Sequence, residues 1–162
     1  MAHLDAAFNY ARWLTKSDAD AEDVVQDAAV RALRHFSSLR NDDARAWLLT
    51  IVRNTWYARF STAGRAEREV FDDMKDKRPD EQLDPEALVI QQQAVERVHR
   101  AIEELPVDFR EVIVLRELEG LSYEEIAEVI GTPIGTVMSR LARGRERLLA
   151  VLGARIPAGS YR

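Results

Sequence analysis

Apolar residues along this chain recur at three- and four-residue spacing, and no stretch sustains the alternation of a strand. Leu4, Ala7, Phe8, Ala11 and Leu14 define a first short helix, whose apolar stripe Tyr10 and Trp13 widen. Lys16, Ser17 and Asp18 break that pattern, and Ser17 or Asp18 can cap a longer helix running to about Phe36. Its predicted core face is Val25, Ala28, Ala29, Ala32 and Phe36. A polar loop over residues 37–43 follows, then ARAWLLTIVRNTWYARF, a helix for which Asp42 or Asp43 is the start signal. Trp47, Leu48, Ile51 and Val52 are expected to enter a core from it. Thr50, Arg53, Asn54 and Tyr57 occupy another arc, flanked by Leu49, Trp56 and Phe60, so this helix is apolar or aromatic around much of its circumference.

Residues 61–84 change character, being dense in both charge signs and poor in large apolar side chains, and read as a flexible linker. A short helical piece over 65–74 could anchor there through Val70, Phe71 and Met74. Asp84 and Pro85 then start a helix through about Leu105, with Val95, Val98, Ile102 and Leu105 in a 3-4-3 repeat. Pro106 interrupts it, and a further helix from about Val107 to Leu118 stops at Gly120. Ser122 and Glu125 have capping-box spacing for the next helix, which ends near Ile130 at Gly131, a residue free to take positive φ. Thr132 can cap the last helix and Pro133 suits its first position. There Ile134, Val137, Leu141, Gly144 and Leu148 form a seam in which Gly144 allows close approach of a neighbour. The fold expected is all-α: two small helical domains joined by a flexible charged linker, the second a four-helix domain ending in a helix-turn-helix. The domains span residues 1–61 and 85–153, with a linker over 62–84 and a tail over 154–162. Such a linker permits both an extended and a compact arrangement.

Composition narrows the chemistry. The absence of cysteine removes disulfides, thiolate catalysis and Cys-based metal sites, and His3, His35 and His99 fall in no ligand pattern. No nucleophile, acid pair or cofactor motif appears, so a binding protein without metal or cofactor is expected rather than an enzyme. No apolar run reaches membrane-spanning length, and the start of the chain lacks a signal peptide's basic and apolar segments, which predicts a cytoplasmic protein. The formal net charge is −5, whereas residues 132–155 carry five Arg against one Glu. An acidic chain disfavours unaided attachment to DNA through phosphate neutralisation alone.

Three surfaces stand out. On the last helix Thr136, Ser139, Arg140, Arg143 and Arg147 share a face, with hydroxyls near the helix start and guanidinium groups after them, which suits a major groove. On the third helix, aromatic rings beside Arg53 and Asn54 suit a single-stranded nucleic acid, because rings stack on bases and polar groups bond base edges or phosphates. Trp56 and Phe60 fit somewhat better as packing under the first helix, whereas Arg53, Asn54 and Tyr57 suit the nucleic acid. On the second helix Asp20, Asp23, Asp27, Arg31 and Arg34 line one side with Gln26 beside them, and periodicity alone reads that side as a solvated face with i,i+4 pairs.

The stretches DAEDVVQDAAVRAL, RAWLLTIVRNTWY and LPVDFREVIVLRELEGLSYEEIAEVIGTPIGTVMSRLARGRERL, in this order and spacing, resemble the extracytoplasmic-function (ECF) group of bacterial RNA polymerase sigma-70 factors. The resemblance implies a region 2-like domain that binds core polymerase and melts the −10 element, and a region 4-like domain that reads the −35 element. It further implies that Asp23, Gln26, Asp27 and Arg31 dock on the β′ clamp helices. Arg53, Asn54, Trp56 and Tyr57 would meet the non-template strand, with a base turned out near Asn54. The β flap and an anti-sigma factor are further implied partners. Two departures matter. The extra N-terminal helix of many members is expected to be short or absent, leaving Trp56 and Phe60 less covered, and Met138 stands where many members carry a basic residue. A stand-alone helix-turn-helix regulator and a sigma-like decoy are the competing functions.

Overall fold

The computed structural model describes residues 2–39, 44–60 and 86–155, and every regular element among them is helical. The linker, the helical piece expected over 65–74, the start signals Asp42, Asp43, Asp84 and Pro85, and the tail beyond residue 155 lie outside the described residues. The first unit comprises α1 (Ala2–Thr15), α2 (Asp18–Arg34), a 3₁₀ turn (Phe36–Ser38) and α3 (Ala44–Phe60). Lys16 reverses the chain between α1 and α2 at φ +57°, and Ser17 caps α2 by accepting the Asp20 N–H at 3.3 Å. Tyr10, Ala11, Leu14, Ala21, Val24, Ala28, Ala46, Leu49, Val52 and Trp56 are buried in the core, where small alanines let the three helices approach closely.

Two predicted faces are rotated. The buried side of α2 is Ala21, Val24 and Ala28, and Phe36, expected in the core, is 65% exposed beyond the helix end. On α3 the most buried positions are Ala46, Leu49, Val52, Thr55 and Trp56, whereas Trp47, Leu48 and Ile51 are only partly covered. A helix apolar around most of its circumference gives periodicity no way to choose a side. Here α3 is also covered twice, by α1 and α2 on one side and by a helix of the second unit on the other.

The second unit runs α4 (Glu86–Glu103), α5 (Val107–Ile113), a π turn (Val114–Leu118), α6 (Tyr123–Ile130) and α7 (Ile134–Arg155). Among the described side chains of α4 only those at its end reach the core: Ala101 and Ile102 are buried, as is Leu105 just after it, while Val95 and Val98 of the predicted seam are exposed. The π turn is marked by the Glu119 N–H donating to the Val114 carbonyl at 3.0 Å, five residues back. Both bonds of the capping box form, Ser122 N–H to Glu125 Oε1 at 2.9 Å and Glu125 N–H to Ser122 Oγ at 3.1 Å. Gly131 closes α6 in the left-handed conformation at φ +66°, as a helix C-terminus favours. α7 begins at Ile134, one residue later than expected. The Thr132 hydroxyl is buried and shows no hydrogen-bond partner, so it does not cap α7, and the Pro133 carbonyl accepts the first N–H groups, from Thr136 and Val137. The seam of α7 is Val137, Leu141 and Gly144, with Leu148 packed beside it and Ile134 40% exposed.

The two units pack against one another, α3 on α6 and α1 on α5, and their buried residues form one cluster. This is the compact one of the two arrangements the linker allows.

Candidate polymerase and nucleic-acid surfaces

Asp23, Gln26, Asp27 and Arg31 are exposed on α2, on the side away from Ala21, Val24 and Ala28. Arg59 of α3 reaches across to this face, 2.6 Å from Asp27 and 3.5 Å from Asp23. Exposed pairs of this kind contribute at most about 1 kcal/mol, so the carboxylates remain available to a partner. Val30, Leu33 and Phe36 add an exposed apolar strip at the same end of the helix, Leu33 at 78%. Acidic groups beside a bare apolar strip suit a basic, amphipathic partner surface.

The aromatic helix presents a different picture. Asn54 is exposed, but Trp56 is in the core at 6% exposure, its ring edge-on to Tyr57 at 4.6 Å. The first unit therefore covers Trp56, as the packing reading of its sequence had it, and Trp56 leaves the set of residues that the resemblance assigned to the separated strand. Phe60 is partly buried against the same core. Arg53 points into the junction with the second unit. Its Nε donates to Glu111 Oε2 at 3.0 Å and its Nη2 to Glu111 Oε1 at 3.1 Å, a fork-to-fork pair with a carboxylate whose side chain is fully buried. Tyr57 lies under the same guanidinium, ring centroid 4.4 Å from Arg53 Cζ, and Tyr10 donates from its hydroxyl to Glu111 Oε2 at 3.4 Å.

The electrostatics of this cluster follow from burial. Desolvation raises the Glu111 carboxyl above its ordinary range, although the Arg53 hydrogen bonds and charge pull it down. For Arg53, burial works against the cation, yet the bonds to Glu111 and the surrounding charge hold it above its usual value. Tyr10 and Tyr57 are both raised, first by burial and then by the Glu111 charge. Arg140 of α7 is close enough to lower both Glu111 and Tyr57, and Asp108 is close enough to raise both. Nothing in the sequence singled out Glu111; the available signal was one carboxylate set in the apolar run FREVIVL.

On α7, Ser139 and Arg143 are exposed and Thr136 and Arg140 half-buried, all beyond the Val137–Leu141 seam. The Ser139 hydroxyl donates to the Thr136 carbonyl at 3.1 Å. Arg147 is exposed but stacks over the Phe109 ring, 4.8 Å from its centroid. Arg145 is held by Glu117 of the π turn at 2.7 Å, away from the group formed by Arg140, Arg143 and Arg147. Met138 is 52% exposed, on the side of the helix that carries Arg145 rather than the basic group. The helix thus offers a rigid basic ridge with short hydroxyls at its leading end. Among the described residues no cluster of His, Cys, Asp and Glu could hold a metal, and no helix is long and apolar enough to cross a membrane.

Residues 1–66 match the family described as sigma-70 region 2, and residues 95–148 match sigma-70, region 4. The chain is 40% identical over 139 residues to the ECF RNA polymerase sigma-E factor of Escherichia coli strain K12, covering 80% of this chain and 72% of that protein. It is 33% identical over 146 residues to the ECF RNA polymerase sigma factor SigE of Mycolicibacterium smegmatis, spanning 90% of this chain but only 57% of that relative's length. Among solved structures, the sigma factor RpoE of Bartonella quintana, in complex with the anti-sigma factor NepR, superposes with a TM-score of 0.73 at 29% identity, over 96% of this chain and 94% of that one. CnrH in complex with the cytosolic domain of CnrY gives 0.65 at 29% identity, over 96% and 85%. Two sigma-70 regions in sequence, on two helical units of the matching folds, place this chain in the ECF group of the sigma-70 family.

Proposed function

We propose that this chain is an alternative sigma factor that binds core RNA polymerase and directs promoter recognition and transcription initiation from the cytoplasm. The observation that carries the reading is the order of two sigma-70 regions, 1–66 and 95–148. Asp23, Gln26, Asp27 and Arg31, exposed beside Leu33 and Phe36, are the proposed dock for the polymerase. Thr136, Ser139, Arg140 and Arg143 are proposed to enter the duplex at −35, where an Arg fork on guanine specifies a base pair and an Arg on phosphate fixes register. Arg147, drawn over Phe109, is assigned to phosphate rather than base contact. Arg53, Asn54 and Tyr57 are proposed to take the separated strand at −10. Polymerase supplies the affinity that an acidic chain lacks, and no bond is made or broken by the sigma factor itself. An anti-sigma partner fits the reading, because the RpoE structure from Bartonella quintana holds the anti-sigma factor NepR.

The test is transcription in vitro. Core polymerase with this chain, presented with a randomised promoter library, is expected to enrich two short elements upstream of the start site. Enrichment that does not depend on added polymerase would instead favour a stand-alone duplex-binding regulator.

A further inference from the structure

Glu111 is the most isolated carboxylate among the described residues, and its partners come from the other unit. Two of its hydrogen bonds come from Arg53 and a third from Tyr10, 58 and 101 residues away in the chain. The side chains are 0% exposed at Glu111 and 15% at Arg53. A carboxylate so deeply buried is tolerated only with its donors in place. Further contacts run along the same seam: Arg45 Nη1 donates to the Glu119 carbonyl at 2.9 Å, Arg12 lies 3.9 Å from Glu103, and Trp13 packs on His99 with ring centroids 5.1 Å apart.

A guanidinium fork accepts a carboxylate and a phosphate with the same geometry. We infer that the two units close on one another into a self-inhibited form, in which Glu111 occupies on Arg53 the place of a backbone phosphate of the separated DNA strand, so that closure and strand capture exclude one another. The inference rests on the assignment of α3 as the strand-binding helix. Tyr57 is caught in the same contact, with Arg53 against one side of its ring and Trp56 against its edge. The α2 face is not: Asp23, Gln26, Asp27 and Arg31 stay exposed in the closed form. Closure therefore blocks the melted strand while leaving the proposed polymerase dock open, so docking does not require opening first.

The full chain has no cysteine, so Glu22→Cys with Glu128→Cys, two exposed positions on α2 and α6, gives a pair of spin labels that reports the separation of the units. The parent is expected to show one narrow distance population. Glu111→Lys sets a second cation against Arg53, and Arg45→Glu sets a carboxylate against the Glu119 end of the seam. Each is expected to reduce the ratio of closed to open molecules at least tenfold, as for breaking a buried pair. A random-sequence single-stranded 20-mer is then expected to bind the Arg45→Glu chain at least as many times more tightly than the parent, a gain that charge cannot explain because this substitution removes a cation. A parent with no closed population, variants that stay closed with their helical signal intact, or opening without a gain in strand binding would each overturn the inference. If the variants open and gain strand binding while the chain supports no transcription with core polymerase, the sigma assignment fails and the closure stands.

Discussion

Gly144 is the point at which α7 touches α5, and a single methyl group there tests how rigidly the duplex-reading helix is seated. A Cβ at this position would lie 2.9 Å from Ile113 Cγ1, 3.2 Å from its Cδ1 and 3.5 Å from Phe109 Cβ. Ile113 is 1% exposed and has no open side to move toward. Alanine improves helix propensity over glycine by about 0.8–1 kcal/mol, whereas overpacking a close-packed site costs about 1–3 kcal/mol. Gly144→Ala should therefore destabilise by about 1 kcal/mol, against the direction that propensity alone gives. Ile113→Ala by itself should cost about 2–5 kcal/mol through lost burial and the cavity left behind. In that background the new methyl enters the vacated space, so Gly144→Ala should become neutral or stabilising, a coupling of about 1–3 kcal/mol. Urea unfolding followed by circular dichroism measures all four proteins, with slopes compared to confirm that the midpoint shifts report stability. Effects that add to within about 0.5 kcal/mol would show that α7 is free to shift, and would remove the argument that its register on DNA is fixed by α5.

The remaining predictions concern the surfaces. Asp23→Ala, Gln26→Ala and Asp27→Ala together should weaken core-polymerase binding and leave thermal stability within about 1 kcal/mol; a folded triple variant with parental affinity would remove this face from the dock. Asn54→Ala should impair transcription from duplex promoters more than from templates with a pre-melted −10 region, and equal loss on both would place Asn54 outside strand capture. Arg140→Ala and Arg143→Ala should each lower holoenzyme binding by about 1–3 kcal/mol where they read a base, with preference relaxed at one position, or uniformly across sequences where they hold a phosphate. Met138→Arg should tighten binding and steepen its salt dependence, and a flat salt response would put residue 138 off the DNA. For the closed form, Glu111 sits among Arg53, Tyr10, Tyr57, Asp108 and Arg140, and burial raises its carboxyl over the opposing cations. A group raised on closing binds its proton more tightly in the closed state. Closure should thus be strongest below the ordinary carboxyl range and decline as pH rises through the raised value. The spin-label distance between neutral pH and about pH 5 checks this, and a closed fraction that grows with pH would contradict it.

The helices and their punctuation were legible because they are local. Ser17, the Ser122–Glu125 box, Gly131 and the Val137, Leu141, Gly144 seam each act within one or two turns of backbone. Faces were legible only where one side is buried: α7 was read nearly whole, with Ile134 as the exception, whereas on α3, apolar almost all round, Val52 was placed correctly and the buried Ala46, Leu49 and Thr55 were missed. Trp56 illustrates the limit, since an aromatic beside Arg and Asn suits both a base stack and a core, and the tertiary packing of the first unit decides between them, leaving it 6% exposed. Glu111 was invisible for a different reason. Its meaning depends on Arg53, 58 residues earlier on another unit, and no periodicity within α5 encodes that partner.

The π turn at Val114–Leu118 carries one more residue than a regular turn would, and each residue of an α-helix advances the side-chain direction by about 100°. Within it, Glu117 faces Arg145 on α7, and Arg116 lies over the Tyr123 ring at 4.6 Å while donating to the Leu121 carbonyl at 2.9 Å. The turn works as a phase shifter between α5, which meets the first unit, and the helices that follow. Substitutions within it change a side chain and leave the phase alone, whereas losing one residue would rewind the turn and rotate Arg116 and Glu117 off their partners together. This stretch therefore tolerates exchange of side chains far better than any change in its length.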